Sequence, residues 1–277
     1  MTPIRMQKLT FWQELWRRFR QDEVQGMAAE LSYFFLLSLF PFLLFIVTLI
    51  GFLPISSDVV LEYISEYAPG NSMEIIEENL TYITNQHNEG LLSLTIIGTL
   101  VAASNGINAI IRAFNRAYEV NENRSFIKAR LMSIFLTVLM VFVIIIALLL
   151  PVFGKNIGVF IFSVFGLSDE FLVVWNALRW GVSFLILFIV FTCLYFVAPN
   201  KRLHIRNVTK GALFATIGWI LVSSAFSLYV NLFGNFTATY GSLGGVIVLM
   251  IWFYLSGMII IIGGEINAIL YYRSLEK

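Results

Sequence analysis

Residues 255–273 read LSGMIIIIGGEINAILYYR, an aliphatic run with one acid, Glu265, in its interior. The run belongs to a longer apolar stretch, Leu243–Leu270, which exceeds the roughly twenty helical residues needed to cross a bilayer. A charged side chain inside hydrocarbon is costly, and those that occur usually pair or mark a functional site. The stretch therefore predicts a membrane-spanning helix and makes Glu265 the first candidate functional residue.

The composition extends this interpretation to the whole chain. Of its 277 residues, 58% are hydrophobic and 13% are charged, whereas soluble domains carry about a quarter charged residues. Helices are the expected element, because lipid leaves backbone polar groups no other partners and the alternating pattern of barrel strands is absent from the sequence. We predict an all-α polytopic membrane protein, folded as a single transmembrane domain over residues 1–277. Its six predicted spans are Leu31–Leu53, Leu91–Ile111, Leu131–Phe153, Leu172–Ala198, Val208–Leu232 and Leu243–Leu270.

The distribution of basic residues predicts the orientation. Sixteen of the eighteen Lys and Arg residues fall on the N-terminal arm, the second and fourth connections and the C-terminal tail. The first connection, residues 54–90, has no Lys or Arg and seven acids. Because Lys and Arg favour the cytoplasmic side, we predict both termini in the cytoplasm and residues 54–90 outside.

Three segments between the spans have patterns of their own. The arm, residues 1–30, contains FWQELWRRF (11–19), an amphipathic helix that suits either the inner membrane interface or packing on the cytoplasmic ends of the bundle. The outer connection, residues 54–90, reads as two short amphipathic helices broken at Pro69 and Gly70. The course of residues 154–171 stays open between a re-entrant, an interfacial and a helix-extending segment, since its apolar part is too short to cross.

Polar residues collect at one end of the predicted bundle. Counted from the outer end of its span, Glu265 lies about 33 Å along the helix axis, near the inner edge. Glu30 opens the first span and Arg112 ends the second at a similar depth. Two interpretations stay open: an ion-pair network that fastens the helices, or a cytoplasmic cavity whose carboxylate binds a proton, a cation or an amine while Arg112 receives a phosphate. The candidate inner polar cluster comprises Glu30, Asn105, Asn108, Arg112, Glu265 and Asn267.

Other polar patterns suggest contacts with lipid and with the outer medium. Basic residues on the cytoplasmic connections are candidates for binding lipid headgroups, namely Arg116, Lys201, Arg202, Arg206 and Lys210. An uncharged polar stretch between the last two spans is either a simple loop or a candidate outer mouth, with Asn231, Asn235 and Tyr240. Small residues at four-residue intervals, such as Gly211, Ala215 and Gly218, predict close helix packing.

Several stretches together resemble the YihY/BrkB family of bacterial inner-membrane proteins: AAELSYFFLLSLFPFLL (28–44), SNGINAIIRAFNRAY (104–118), YFVAPNKRLHIRNVTKGALF (195–214) and MIIIIGGEINA (258–268). The resemblance covers the chain from about Phe11 to Tyr272. It implies six spans in the bacterial plasma membrane, and it does not imply one settled activity. Members of the family have been labelled ribonuclease BN-like, linked to serum resistance and suspected of transport.

The residues argue against the ribonuclease label. A metal nuclease needs clustered His, Asp or Glu ligands, and the two histidines, His87 and His204, fall on opposite predicted sides of the membrane. We expect no catalytic residues, no metal and no cofactor, and no nucleic acid as a partner.

Two function hypotheses follow. The first is a plasma-membrane transporter or translocator of lipid, small amphiphile or ion. The second, from a different class, is an envelope scaffold that binds a partner. Membrane lipids are the expected partners, and a homo-oligomer stays open. The chain has no GxxxxGK[ST] nucleotide-binding motif, so transport would be passive, gradient-coupled or powered by a partner.

Overall fold

The computed structural model describes residues 9–50, 89–140, 169–233 and 243–276, and within these ranges it contains helices and no strand. A short 3-10 turn, Ile205–Asn207, lies between two of the helices. The helices are α1 (Phe11–Gln21), α2 (Val24–Ile50), α3 (Glu89–Ala117), α4 (residues 126–140), α5 (Asp169–Val197), α6 (Thr209–Phe233) and α7 (Leu243–Leu275). The prediction of an all-helical membrane protein is confirmed.

Five of the helices are long and apolar enough to cross a membrane, and they coincide with five of the six predicted spans. The third predicted span, Leu131–Phe153, begins in α4, but its residues 141–153 lie outside the described residues. Six spans and their orientation therefore stay predictions. The five candidate spans are Val24–Phe45, Ser93–Ala117, Trp180–Val197, Thr209–Val230 and Leu243–Leu275.

Local sequence signals define both ends of α1. Thr10 is its N-cap, and Thr10 and Gln13 exchange hydrogen bonds in a capping box, which satisfies free N–H groups of the first turn. Glu14 lies in the first turn and Arg18 and Arg20 in the last, where their charges complement the helix dipole. Glu23 then adopts a left-handed backbone conformation with φ 54°, and α2 begins at the next residue.

The chain divides into two compact units. In the unit formed by residues 1–33 and 106–277, α7 is the helix on which the others pack. Gly257 of α7 faces Leu31 of α2, Gly263 faces Tyr195 of α5, and Gly264 faces the ring of Phe114 in α3. Tyr195 also donates a hydrogen bond of 2.7 Å to the carbonyl oxygen of Ile260. Glycines without side chains thus let several helices approach α7 closely.

The packing of α6 on α7 agrees with the small-residue pattern in the sequence. A Cβ placed on Gly211 would lie within 3.0 Å of the carbonyl oxygen of Gly263, and one on Gly218 would lie 3.2 Å from Ile259. Ala215, midway between them, is fully buried. Backbone of α6 therefore touches backbone of α7 at this end of the interface.

The second unit comprises residues 34–105, of which 34–50 and 89–105 are described. Helix α2 continues through Pro41, and a Cβ on Gly98 of α3 would lie 3.8 Å from the Cβ of Pro41. Most of the predicted outer loop, residues 54–90, lies outside the described residues, and its last two residues belong to α3. Of residues 154–171, the structure describes only the first turn of α5, from Asp169.

Candidate functional site

Glu265 lies on α7, about three turns before the helix ends at Leu275. Its residue surface is 0% exposed, and neither carboxylate oxygen has a hydrogen-bond partner among the described residues. A buried carboxylate without hydrogen bonds is costly unless a cation lies beside it.

The nearby cation is Arg18 of α1. Its Nη1 atom lies 3.8 Å from Oε2 of Glu265 and donates a hydrogen bond of 2.8 Å to the carbonyl oxygen of Ala117. Its Nη2 atom pairs with Glu119 at 3.3 Å. The side chain is 8% exposed, so this arginine is inserted between α7 and the end of α3. Arg18 is not a member of the predicted inner polar cluster.

A second ion pair fastens α1 to α7. Arg273 donates to one oxygen of Glu14 through Nε at 3.1 Å and Nη2 at 2.9 Å, and Nη2 also donates to the carbonyl oxygen of Leu9. Together with Arg18, these contacts attach one face of α1 to the unit. The opposite face leaves Trp12 and Trp16 74% and 57% exposed. The structure therefore shows that α1 packs against other helices of this unit, whereas contact of α1 with the membrane interface stays a prediction.

Arg112 of α3 pairs with Glu30 of α2. Among the described residues no ion pair joins Arg112 to Glu265. The structure thus brings together two members of the predicted inner cluster and gives Glu265 a different partner. In contrast to Glu265, the paired side chains are open, with Arg112 56% and Glu30 41% exposed.

The remaining members of the predicted inner cluster occupy three places. Asn108 accepts a hydrogen bond from Ser133 of α4. Asn267 is fully buried. Its Oδ1 accepts a 2.7 Å hydrogen bond from the Gly211 N–H in the first turn of α6, while its Nδ2 has no hydrogen-bond partner in the part of the chain that the structure describes. Asn267 therefore caps α6 from the side. Asn105 belongs to the other compact unit, where it is half-buried.

Two of the predicted headgroup-binding residues are engaged within the protein. Arg116 pairs with Asp22 at 3.4 Å and with Glu23 at 3.2 Å, and donates to the carbonyl oxygen of Gln21. These contacts hold α3 against the turn between α1 and α2. Arg116 is consequently less available to an external anion than the sequence suggested.

Lys201 is held in a cage of three tyrosines. Its Nζ lies 4.5 Å from the ring centroids of Tyr271 and Tyr272 and 5.7 Å from that of Tyr118. It also donates a 3.0 Å hydrogen bond to the Tyr272 hydroxyl, which itself donates to the carbonyl oxygen of Tyr118. Burial, and the neighbouring Tyr272, Tyr271 and Glu265, raise the pKa of Tyr118. The tyrosine cage connects the segment before α6 to the ends of α3 and α7.

Arg202, Arg206 and Lys210, the other predicted headgroup-binding residues, are exposed. Asn231 of the predicted outer mouth lies in α6, whereas Asn235 and Tyr240 lie outside the described residues. Within the described ranges, no three His, Cys, Asp or Glu side chains lie where they could hold a metal ion.

Comparison with known proteins finds a family model and several relatives that match most of the chain. The family model described as Virulence factor BrkB matches residues 15–277. The chain is 58% identical over 265 residues to the ribonuclease-like protein YfkH of Bacillus subtilis, covering 96% of each chain. It is 29% identical over 261 residues to a UPF0761 membrane protein of Psychromonas ingrahamii, covering 92% of this chain and 86% of the relative. A UPF0761 membrane protein of Haemophilus influenzae is 24% identical over 261 residues, with 92% and 93% covered. No solved structure matches the chain.

Proposed function

The chain belongs to the BrkB family of bacterial membrane proteins, and from that premise we propose that it translocates an amphiphile, specifically a phospholipid, between the two leaflets. The observation on which this rests is the Glu30–Arg112 ion pair. Both residues lie within candidate spans, yet both side chains are more than 40% exposed.

An exposed ion pair at this position needs a polar environment. Arg112 lies five residues before its span ends at Ala117, about 8 Å along the helix axis. Hydrocarbon solvates charge poorly, and ionisable residues in spans usually face a cavity, water or a headgroup. The pair is therefore suited to a lipid headgroup: the guanidinium binds a phosphate through two N–H groups, and the carboxylate accepts from an amine.

A polar stripe on α3 extends this site along the membrane normal. Asn108, Arg112 and Arg116 recur every four residues, so they lie on one face of the helix over about 12 Å. Asn108 is half-buried and Arg112 is exposed. Arg116 is also exposed, but its ion pairs with Asp22 and Glu23 make it the end of the stripe and not a free binding residue. The neighbouring face of the helix is buried and contains Ala109 and Ala113. A headgroup could move along the stripe while its acyl chains stay in lipid.

The proposal also includes the orientation of the protein and the membrane in which it lies. The positive-inside rule puts both termini in the cytoplasm, with the protein in the plasma membrane. Because the sequence has no nucleotide-binding motif, translocation is passive, gradient-coupled or driven by a partner. The ribonuclease activity in the name of YfkH is not part of the proposal, because a metal nuclease needs clustered ligands and His87 and His204 lie on connections predicted to face opposite sides of the membrane.

The test is reconstitution of the purified chain into liposomes that contain a headgroup-labelled phosphatidylethanolamine. A membrane-impermeant reductant bleaches only outer-leaflet label in empty liposomes, and we expect it to bleach both leaflets when the protein is present. Arg112→Ala and Glu30→Ala should lower the rate at an unchanged protein level.

Arg17→Ala is the matched control, since Arg17 is an exposed arginine on α1 and lies outside the stripe. Wild-type protein that leaves the inner-leaflet label intact, and that also moves no solute or ion in flux assays, would favour the envelope scaffold. If Arg112→Ala reduces the protein level and the rate together, the ion pair fastens α2 to α3 and does not bind a headgroup.

A further inference from the structure

An open groove of about 530 Å³ lies on the connection between α5 and α6. One candidate span ends just before the groove, at Val197, and the next begins just after it, at Thr209. The groove is therefore placed where the helical bundle meets the membrane surface. Its lining residues are Phe196, Leu203, His204, Ile205, Arg206 and Asn207.

Part of the groove wall is apolar and open. Ile205 is 59% exposed, and Phe196 is 38% exposed. Leu203, which also lines the groove, is buried. Apolar side chains exposed at the level of the headgroups contact the upper part of an acyl chain, as in interfacial membrane segments.

Positive charge collects around the groove in the sequence: Arg206 lines the groove, and Arg202 and Lys210 lie four residues before and after it. Arg202, Arg206 and Lys210 are exposed, and none of the three forms an ion pair with another described residue. The sequence contains no Asp or Glu from residue 171 to residue 264. The neighbouring Lys201 is different, because the tyrosine cage already holds its ammonium group.

We propose that this groove binds one anionic phospholipid as a resident ligand, separate from the polar stripe on α3. Arg206 and Arg202 bind its phosphate, Lys210 adds positive charge, and Phe196 and Ile205 contact the first part of an acyl chain. Charge complementarity favours an anionic lipid over a zwitterionic one, because each Lys or Arg near a membrane surface strengthens attraction to anionic lipid about five-fold. Binding here does not depend on the translocation proposed above.

The test is retention of lipid by the full-length protein, purified in detergent micelles that contain equal amounts of phosphatidylglycerol and phosphatidylcholine, and measured by native mass spectrometry. We expect the wild-type protein to retain phosphatidylglycerol preferentially. Arg206→Gln should lower that retention about five-fold, and Ile205→Asn should lower it without a change in net charge. Glycerol phosphate, which has the headgroup chemistry but no acyl chains, should not displace the lipid.

Arg17→Gln is the control for general surface charge, and its retention should equal that of the wild type. Equal retention of the two lipids, or equal losses in Arg206→Gln and Arg17→Gln, would overturn the proposal. Displacement by glycerol phosphate would also overturn it, because the site would then bind a free phosphate ester. The readout contains no transport step, so it can succeed when the liposome assay fails, and the reverse.

Discussion

The guanidinium of Arg18 lies 3.8 Å from the carboxylate of Glu265, which joins the first helix of the chain to the last candidate span. Both side chains are almost completely buried. Within the described ranges no group donates a hydrogen bond to the carboxylate, and Arg18 is the cation that forms an ion pair with it. This geometry favours fastening as the role of Glu265, whereas the open pair of Glu30 and Arg112 has the exposure expected of a binding site.

Removal of Arg18 should therefore destabilise the protein strongly. Arg18→Met leaves the buried Glu265 carboxylate without its ion-pair partner, and removal of one partner from a buried ion pair costs about 3–5 kcal/mol. Glu265→Gln in the same chain should recover much of this loss, because a neutral amide needs no cation. Thermal unfolding in detergent, followed for both single variants and the double variant, measures the coupling.

Arg17→Met controls for loss of an arginine from α1. Arg17 is exposed, and its replacement should change stability by no more than about 0.5 kcal/mol. If Arg18→Met and Arg17→Met unfold at the same temperature, the buried pair does not fasten α1. If Glu265→Gln unfolds normally but abolishes transport, Glu265 has a functional role that the fastening interpretation misses.

Glycines of α5, α6 and α7 should respond differently to the same substitution, according to the space around each. A Cβ on Gly211 or Gly263 would lie closer than 3.0 Å to neighbouring backbone, so Gly211→Ala and Gly263→Ala should cost about 1–3 kcal/mol or more. Gly181 of α5 and Gly245 of α7 differ, because no described atom outside their own helix backbone lies within 4 Å of such a Cβ. Alanine there should be neutral or stabilise by up to about 1 kcal/mol. Thermal unfolding of the four variants measures the contrast, and similar shifts in both pairs would contradict close backbone packing.

Glu119 has a left-handed backbone conformation and a carboxylate that pairs with Arg18. It has φ 51° at the end of α3, where hydrogen bonds from Glu119 to Arg116 and from Val120 to Asn115 form a Schellman motif. Glycine usually occupies this position, but Glu119 places its carboxylate 3.3 Å from Arg18. Glycine adopts the left-handed conformation without strain, so Glu119→Gly removes the backbone strain that Glu119→Ala retains. Both variants lose the carboxylate. Glycine should therefore be more stable than alanine by about 1 kcal/mol, as measured by denaturant or thermal unfolding. Equal stabilities would show that the backbone is not strained.

Sequence patterns predicted the helices well, because a span needs only a long apolar run. The ends were less accurate: α5 begins at Asp169 and not Leu172, and α7 continues to Leu275 and not Leu270. Polar residues can extend a helix beyond the apolar run, since the helix need not end where the hydrocarbon ends. The sequence also predicted that Glu30 and Arg112 lie at a similar depth in the membrane, and the structure shows that their side chains form an ion pair.

Arg18 was not predicted as the partner of Glu265, because the amphipathic pattern of α1 was interpreted from its aromatic face. Glu14 and Arg18 are one turn apart, and they lie two residues from Trp12 and Trp16, on the opposite side of the helix. The sequence shows this spacing, and it indicates that α1 has a second, polar face able to pack against other helices. The tyrosine cage had no comparable signal, because Tyr271 and Tyr272 lie about seventy residues from Lys201 and no local periodicity connects them.

The tyrosine cage gives the last prediction. Lys201→Met keeps much of the aliphatic side chain but loses the charge that faces the rings of Tyr271 and Tyr272, so it should lower stability by about 1–2 kcal/mol. Lys210→Met removes a nearby exposed lysine and should have little effect. Limited proteolysis of the connection between α5 and α6, together with thermal unfolding, checks both variants. Because the cage joins this connection to the end of α7, Lys201→Met should expose it to protease before the spans unfold. Equal protease resistance in the two lysine variants would show that the tyrosines pack without help from the ammonium group.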